Sequence, residues 1–485
     1  MRRFLWLGSV LFLYVICTGC GDTFRPIIIP NPPTFPNPKA AHTVVAINDN
    51  GTVVPGSAMV VDVSGDSDIS VKDVGLAPVH AVQQTASEVL VVNQAVTGLN
   101  VPTTSCLVTF PPTPPNQVFN VCSSITKLNF SGTVIGNTST ISLPIYSGAN
   151  FVAVAPSATT AYVTMPTFPP DPTQPLNILP SVGVVNTQSN TTQTIPVGHN
   201  PVALAVTPNN GKLYVANQGD STISGFDIVT LGLSQRGGSP MGTSSPPIWL
   251  VARSDNQRVY VLEQNGTLAW LDTTSTAGPD TLTETTISVP GAIKMIYDGN
   301  KNRLYIPGGN QVAIVDASQS APSTIATIPI TAFPPTSRAT GDPCLTTAAA
   351  ALNTIDVAAL PDGSRAYAGT YYEDAADNIC PQVTVIDVAS NTIKSSIAVP
   401  GFPAFDALCS ATIPSPRVRF RLSMAAGGDS SRAYLASCDG GMVNIIDTSN
   451  DTYIENLQAP IGARPPIPPS LLNPPQNPVF LFAGP

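Results

Sequence analysis

The stretch that decides the fold is residues 201–227, PVALAVTPNNGKLYVANQGDSTISGFD. It divides into three short segments, PVALAV, LYVAN and TISGFD, which are apolar or alternate apolar and polar residues and end in Gly, Asn, Asp or Pro. Such segments are typical of short β-strands joined by tight turns. A single small sheet cannot bury both of its faces, so we expect the unit to stack on copies of itself.

These copies occur along most of the chain. The tyrosine-bearing segment recurs, each time after a polar turn, as AYVTM (161–165), VYVLE (259–263), LYIPG (304–308), AYAGT (366–370) and AYLAS (433–437). A third segment ending in Asp recurs as TLAWLD (267–272), QVAIVD (311–316), QVTVID (382–387) and MVNIID (442–447). Uninterrupted copies lie about 45 residues apart, which is the period of a four-stranded propeller blade.

The repeat resembles the bacterial YVTN-type β-propeller family, whose namesake strand corresponds here to Tyr214-Val215-Ala216-Asn217. The resemblance covers residues 42–485. It implies an all-β fold, a single propeller of four-stranded blades. It implies no particular activity, because propellers carry many unrelated functions.

The two ends of the repeat region complement each other. Residues 42–75 match the second, third and fourth strands of a repeat, with Asp62 in the usual Asp position, but lack the inner strand. Residues 477–485, NPVFLFAGP, resemble a lone inner strand. Joining them into one composite blade leaves no open sheet edge between the termini. With seven repeats in between, this predicts eight blades; seven blades with extra terminal strands is the alternative.

The composition excludes one class of partner. Charged residues are only 11% of the chain, and its formal net charge is −9. An acidic surface repels phosphate backbones, so we expect no nucleic-acid binding. We expect a monomer.

The first residues resemble a bacterial lipoprotein signal. Arg2 and Arg3 precede an apolar run that is too short to span a bilayer, and Cys17-Thr18-Gly19-Cys20 follows it. We predict a signal peptide at 1–19, acylation of Cys20 and a Pro-rich tether at 20–41. The protein would then be anchored by lipid in the bacterial cell envelope, periplasmic or surface-exposed. A simple secretory signal and an uncleaved anchor are the alternatives.

Long insertions in the repeat point to one face of the ring. Successive strands of a blade run antiparallel, so loops between second and third strands leave the same rim as the connections between blades. The insertions of these two kinds are 98–117, 166–181, 371–381, 331–353, 401–420 and 461–476. Repeat scaffolds carry binding surfaces where insertions accumulate. We therefore predict that this rim binds an envelope or extracellular protein, peptide or glycan.

Cysteines lie in or beside the same insertions. Six remain after removal of the signal peptide and acylation of Cys20, and an even number in an exported chain indicates disulfides. The predicted pairs are Cys106–Cys122, Cys344–Cys380 and Cys409–Cys438. A metal site is the alternative, although these six cysteines contain no CxxC spacing and no histidine lies close to a pair.

One loop, residues 371–378 (YYEDAADN), is the local candidate for a binding site. Its carboxylates could supply oxygen ligands to Ca²⁺, the one cofactor considered, although the spacing matches no recognised calcium motif. A solvated acidic loop is the alternative. The candidate binding residues are Tyr371, Tyr372, Glu373, Asp374, Asp377 and Phe168. The tyrosines could form an aromatic contact patch with Phe168, Phe333, Phe402 and Phe405.

Other polar residues have structural interpretations beside functional ones. His80 and His199 lie at or just before inner strands, so both could approach the central channel, but a hydrogen-bonded structural histidine is the alternative. The aspartates that end the third strands are followed by Thr or Ser in most blades, which favours turn closure over catalysis. They are Asp62, Asp227, Asp272, Asp316, Asp387 and Asp447.

These observations favour a lipid-anchored binding or scaffold module that is not an enzyme. The alternative is a hydrolase, because the repeat also resembles lactonase-type propellers, which place acidic residues and histidine, often with a divalent metal, at the channel mouth. No matching motif is present, so no catalytic or metal-binding residue is assigned. A structural envelope protein is a third possibility.

Overall fold

A computed structural model of the chain describes residues 43–50, 54–95, 107–110, 117–120, 122–145, 147–155, 159–167, 179–229, 232–276, 278–345, 351–403, 409–410, 419–458 and 477–484. The predicted signal peptide, Cys20 and the tether lie outside the described residues, so those expectations stay predictions.

The described chain is built almost entirely of short strands, as the alternating segments predict. Those of the first half are β1 Thr43–Asp49, β2 Ser57–Asp62, β3 Ser67–Asp73, β4 Leu76–Thr85, β5 Glu88–Ala95, β6 Leu107–Phe110, β7 Gln117–Asn120, β8 Cys122–Ser131, β9 Val134–Ile145, β10 Phe151–Val154, β11 Thr160–Met165, β12 Ser181–Asn186, β13 Thr191–Pro196, β14 Pro201–Val206, β15 Lys212–Asn217, β16 Thr222–Val229, β17 Gly232–Gln235 and β18 Met241–Gly242. Those of the second half are β19 Pro247–Ala252, β20 Arg258–Glu263, β21 Thr267–Asp272, β22 Thr281–Ser288, β23 Ile296–Asp298, β24 Arg303–Gly308, β25 Gln311–Asp316, β26 Ser323–Pro329, β27 Asn353–Ala359, β28 Arg365–Glu373, β29 Asn378–Asp387, β30 Thr392–Ala398, β31 Phe402–Pro403, β32 Cys409–Ser410, β33 Arg419–Phe420, β34 Leu422–Ala426, β35 Arg432–Ser437, β36 Met442–Asp447, β37 Thr452–Gln458 and β38 Asn477–Ala483.

Helical structure within these ranges is limited to single 3-10 turns. They are Gln218–Asp220, Pro335–Ser337 and Pro343–Leu345. In the part of the chain that the structure describes, no helix has the length and apolar character needed to cross a bilayer.

The strands form an eight-bladed β-propeller, as the repeat predicts. Blades one to seven have the strand orders β4-β5-β8-β9, β10-β11-β12-β13, β14-β15-β16-β17, β19-β20-β21-β22, β23-β24-β25-β26, β27-β28-β29-β30 and β34-β35-β36-β37. The first strand of each order is the innermost, and each innermost strand contacts that of the next blade. In blade one the third strand is β8, because the short strands β6 and β7 of the insertion pair with each other outside the blade.

Blade eight is the predicted composite of the two chain ends. Its order is β38-β1-β2-β3, and β38 pairs antiparallel with β1 so that Phe480 lies opposite Ile47. The C-terminal segment thus supplies the inner strand that the N-terminal segment lacks. This closure confirms eight blades and shows that the seven-blade alternative is wrong.

A recurrent polar contact locks each of five neighbouring blade pairs. The cation at the start of a second strand reaches the turn between the third and fourth strands of the next blade. The pairs are Lys212 with Thr273 O at 2.7 Å, Arg258 with Ser320 O at 3.4 Å, Arg303 with Val388 O at 2.9 Å, Arg365 with Thr448 O, and Arg432 with the Asp66 carboxylate at 2.8 Å. Hydrogen bonds from cations are stronger than neutral ones, so these contacts fix how the blades stack.

The repeated aspartates close the turns that these cations contact. In five blades an Asp carboxylate accepts a hydrogen bond from a backbone N–H two or three residues later. The pairs are Asp62 with Ser64, Asp272 with Thr274, Asp316 with Ser318, Asp387 with Ser390 and Asp447 with Ser449. Asp227 instead pairs with Arg236. The structural interpretation of these residues is therefore confirmed in their geometry.

We predict that Arg432→Ala lowers the free energy of unfolding by about 2–4 kcal/mol, because it leaves the Asp66 carboxylate without its cation at the junction of blades seven and eight. Both Arg432 nitrogens that face Asp66 lie within 2.8 Å of its oxygens. Urea unfolding measures the change. Lys72→Ala, an exposed substitution on the outer strand of blade eight, should change the value by under about 0.5 kcal/mol. Equal losses in the two variants would contradict the locking role.

Candidate functional site

All six insertions attach to one rim of the propeller, which we call the insertion rim. In blade six, for example, the first residue of the inner strand, Asn353, pairs with Tyr371 near the end of the second strand. Inner strands therefore begin where second strands end and third strands start. Every insertion interrupts the chain at one of these points, as predicted. The opposite rim, the turn rim, carries tight hairpins such as 207–212.

Two disulfides brace the insertion rim at blades six and seven. Cys344–Cys380 joins the connection before blade six to that blade's third strand, and Cys409–Cys438 joins the connection before blade seven to the end of its second strand. Both predicted pairings are confirmed. Cys122 is also disulfide-bonded, whereas Cys106 lies outside the described residues. Such bonds are typical of an oxidising, extracytoplasmic compartment.

Arg421 ties the two braced blades together. Its Nε donates to Asp439 Oδ2 at 2.9 Å, and its Nη2 donates to the carbonyl of Cys409 at 2.8 Å. Nη1 of the same guanidinium pairs with Glu373 in the blade-six hairpin. The guanidinium carbon lies 5.1 Å from the centre of the Tyr371 ring. One buried cation thus connects the hairpin, the insertion and blade seven.

Arg338 has the same role on the other side of the hairpin. Its guanidinium donates to the carbonyl oxygens of Val399 at 2.9 Å and Pro381 at 3.0 Å. It also lies 5.8 Å from the Tyr372 ring centre and 6.0 Å from that of Phe333. The segment 331–345 is therefore held against blade six by a buried cation as well as by a disulfide.

The hairpin 371–380, which contains the predicted loop 371–378, is closed by internal contacts. Tyr371 and Tyr372 are buried beneath the two arginines, so they support the hairpin and do not form its outer surface. Asp374 accepts hydrogen bonds from the backbone N–H groups of Ala376 and Asn378, both at 2.9 Å. Burial opposes ionisation of Asp374, but a 3.0 Å hydrogen bond from the Asn378 side-chain amide, together with these backbone bonds, outweighs it and lowers the pKa of the carboxyl. The exposed residues are Glu373, Ala375, Ala376 and Asp377.

Two of the predicted calcium ligands of this loop have partners within the protein. Asp374 closes the turn, and Glu373 faces Arg421. Asp374 also lies within 4.8 Å of the sulfurs of Cys344 and Cys380, but the disulfide removes the thiolates that would bind a metal. The Ca²⁺ prediction is untested. Phe168, the remaining candidate contact residue, lies outside the described residues.

We predict that replacing Cys344 and Cys380 together by Ser lowers the free energy of unfolding by about 3–4 kcal/mol, the chain-entropy value for a loop of this length. The bond closes a sequence separation of 36 residues. Chemical denaturation of the wild type and the double variant, each without reductant, measures the effect. Adding dithiothreitol should remove most of the difference between them. A difference that survives reduction would mean that the substitutions act by another route.

A second cluster of chemically capable side chains lies on the propeller axis. Each inner strand contains one residue that pairs with the tyrosine position of its second strand, as Val251 pairs with Tyr260. The residue two places earlier in each inner strand therefore occupies an equivalent position. These eight residues, here called the central layer, are His80, Phe151, Ala203, Trp249, Lys294, Asp356, Ser423 and Phe480.

The side chains of the central layer meet across the axis. The His80 ring stacks on Phe151 with centres 4.0 Å apart and lies 4.6 Å from Phe480. Lys294 Nζ pairs with Asp356 Oδ2 at 2.6 Å, 5.8 Å from the Trp249 ring and 5.6 Å from the Phe480 ring. Blades one, two, four, five, six and eight thus contribute to one group of mainly aromatic and charged side chains.

Three members of the central layer also satisfy backbone groups of the next blade. His80 Nδ1 accepts from Val152 N–H at 3.4 Å, and Asp356 Oδ2 accepts from Met424 N–H at 2.9 Å. Ser423 Oγ accepts from the backbone N–H of Leu481 in blade eight at 3.1 Å. Innermost strands have an unpaired edge, so these side chains supply acceptors that no further strand provides.

The two histidines named from the sequence have different surroundings. Burial, with a smaller contribution from the Lys294 charge, lowers the pKa of His80 to about 3, so its imidazole is neutral at physiological pH. His199 is exposed, and its Nδ1 lies 2.7 Å from Asp220 Oδ1. His80 therefore approaches the channel as predicted, whereas His199 belongs to an exposed polar pair.

We predict that His80 makes the protein more sensitive to acid. Between pH 6.5 and about 3 the unfolded chain binds a proton at this residue that the folded chain does not bind, so stability falls as the pH falls. In His80→Gln, which keeps an acceptor for Val152 N–H, this contribution is absent. The difference in unfolding free energy between the two proteins should change by up to about 1.4 kcal/mol per pH unit. Denaturation at pH 7 and pH 4.5 tests it, and a constant difference would contradict it.

Sequence reasoning found His80 but missed the rest of the central layer. Lys294, Asp356 and Trp249 belong to no motif, and their equivalence appears only once the strands are aligned by their pairing with the tyrosine position. The available signal was an inner strand with a charged residue where other repeats have an apolar one.

Comparison with known proteins supports the fold and goes no further. No protein-family model and no curated protein matches this chain, so the YVTN-type resemblance stays a prediction. Among solved structures, apo AztD from Citrobacter koseri is similar, with a TM-score of 0.52, 9% identity, and coverage of 92% of this chain and 98% of that chain. Dihydro-heme d1 dehydrogenase NirN, solved in complex with DHE, gives a TM-score of 0.55 at 10% identity and covers 94% of this chain and 77% of that chain. At such identities the likeness shows the fold alone.

Proposed function

We propose that this protein is an extracytoplasmic binding module that presents the insertion rim at blades six and seven to an envelope or extracellular protein, peptide or glycan. The observation that carries the proposal is that two disulfides and two buried arginines hold the loops of this rim in place. These loops are additions to the four-stranded blades.

Rigid loops are what a binding surface requires. A loop that is already ordered loses less conformational entropy when a partner binds, so more of the contact energy appears as affinity. Between its buried tyrosines and Cys380 the hairpin exposes Glu373 and the segment 375–377. A solvated turn of this kind would need neither brace if its only task were to connect two strands.

The proposed location agrees with this role. The disulfides indicate an oxidising compartment. A lipid on Cys20 and a Pro-rich tether of about 20 residues would hold the propeller at a distance from the membrane, with its rims accessible to partners. The hydrolase alternative has less support, because Asp356 already accepts from Lys294 and from backbone N–H groups of two residues.

Site-specific photo-crosslinking of the full chain in intact envelopes tests the proposal. A photoreactive residue at Ala375, exposed on the insertion rim, should give a discrete adduct with a partner. The same residue at Ser364, exposed in a turn-rim hairpin, is the matched control and should give none. Replacing Cys344 and Cys380 by Ser should reduce the Ala375 adduct, because the hairpin then loses its brace. Adducts of equal yield from both rims, or from Ser364 alone, would contradict the assignment. A glycan array probed with the same two proteins, which carry the photoreactive residue at Ala375 or at Ser364, tests for a carbohydrate partner.

A further inference from the structure

The central layer retains hydrogen-bonding capacity that the protein does not use. Lys294 Nζ has one partner among the described residues, Asp356, so two of its three ammonium protons have no acceptor there. His80 accepts at Nδ1 while its ring is neutral, which puts its proton on Nε2. No described residue accepts from that Nε2. The Lys294 ammonium and the His80 Nε2–H are therefore two hydrogen-bond donors that remain available at the axis of the propeller.

These donors adjoin a space that solvent reaches. His80, Phe151, Trp249 and Phe480 each keep 9% of their surface exposed, and Lys294 keeps 8%, although the inner strands surround them on all sides. Residues on the innermost strand of a closed ring can meet solvent only along the axis or at its ends. These five members of the central layer therefore border the channel, whereas Ala203, Asp356 and Ser423 are buried.

The wall of the channel beside the central layer is apolar. Side chains two residues apart on a strand lie on the same face, so the next residues in this direction form a second layer. Its members are Val82, Ala153, Ala205, Val251, Ile296, Ala358, Ala425 and Phe482. Four of them are alanines, Ala153, Ala205, Ala358 and Ala425. Five members of the layer, Ala153 among them, are partly exposed. Small side chains leave room next to the donors.

The charge of Lys294 is only partly neutralised. Asp356 also accepts backbone N–H bonds, from Val357 at Oδ1 and from Met424 at Oδ2, each at 2.9 Å. Its negative charge is therefore shared among three donors, while the ammonium has a single anionic partner. A second anion near Nζ would complete the coordination of Lys294 without displacing Asp356.

We propose that the channel binds a small organic carboxylate, whose carboxylate oxygens accept from Lys294 Nζ and His80 Nε2 and whose apolar body lies along the second layer. Aromatic faces at Phe151, Trp249 and Phe480 flank the carboxylate end and favour a flat or short aliphatic body over a polar one. This site is separate from the surface proposed for macromolecular binding, and neither proposal depends on the other.

Ligand titration of the full-length protein tests the proposal, with benzoate as the probe and benzamide as its uncharged analogue. Calorimetry or ligand-observed NMR should show saturable binding of benzoate with one site per chain. Benzamide should bind at least about tenfold more weakly, because it lacks the charge-assisted hydrogen bonds. Phenylacetate and hexanoate extend the series to other apolar bodies.

Three variants test whether benzoate binds beside the central layer. Lys294→Met combined with Asp356→Asn removes both charges together, so no unpaired buried charge is left, and it should weaken benzoate binding at least about tenfold. Lys301→Met makes the same substitution at an exposed position and should leave binding unchanged. If the double variant fails to fold, Ala153→Leu fills the second layer without altering any charge, and it should also weaken benzoate binding.

Saturable benzoate binding that is lost in the charge-free or the channel-filling variant and retained in Lys301→Met supports the site. Absence of saturable binding for all three acids up to tens of millimolar, or full affinity in folded charge-free protein, overturns it. Equal affinity for benzoate and benzamide overturns the role of the two donors.

Discussion

The unpaired edge of each innermost strand is the constraint on which this structure depends. Eight sheets stand around one axis, and the strand nearest the axis has a hydrogen-bonding partner on one side only. Unpaired N–H groups in a protein interior cost free energy unless an acceptor reaches them. Here His80, Asp356 and Ser423 each provide that acceptor for the following blade. Three of the residues that make the centre polar therefore also satisfy backbone groups at the junctions between blades.

Closure imposes the same demand on the chain ends. Blade eight exists only because β38 returns to pair with β1, and Arg432 then holds the turn before β3 through Asp66. The first contact joins residues near the two ends of the chain, and the second joins residues that are 366 positions apart. The cations that begin the second strands of blades three to six repeat the Arg432 contact at shorter range. The junctions from blade three to blade eight are therefore similar, and the last of them includes the long-range contact.

The insertion rim and the axis are connected through blade seven. Phe420 follows the braced connection before that blade, and its ring lies 6.0 Å from Trp249 in the central layer. The Cys409–Cys438 bond fixes the strand pair that carries Phe420, since Cys409 pairs in parallel with Arg419. Bracing of the rim thus also positions an aromatic ring at the channel, which gives the two regions a common support.

The sequence by itself determined the blade, its number of strands and the composite closure. Each of these rests on local patterns, namely alternation of apolar residues, turn signals and a repeated tyrosine, and local patterns are legible along a chain. It also determined the rim on which insertions accumulate and two cysteine pairings, because antiparallel strands fix which ends lie together. The burial of Tyr371 and Tyr372, by contrast, depends on Arg421 and Arg338, which arrive from elsewhere in the chain.

Only the tertiary structure decided the composition of the central layer. Lys294 and Asp356 are 62 residues apart, and neither lies in a pattern that separates it from other polar residues of the chain. They meet because ring closure brings one position of every inner strand to the axis, where the distance between blades is smallest. The only local signal is a charged residue in an inner strand where other repeats have an apolar one, and this signal does not show which residues meet. Their grouping depends on closure of the ring.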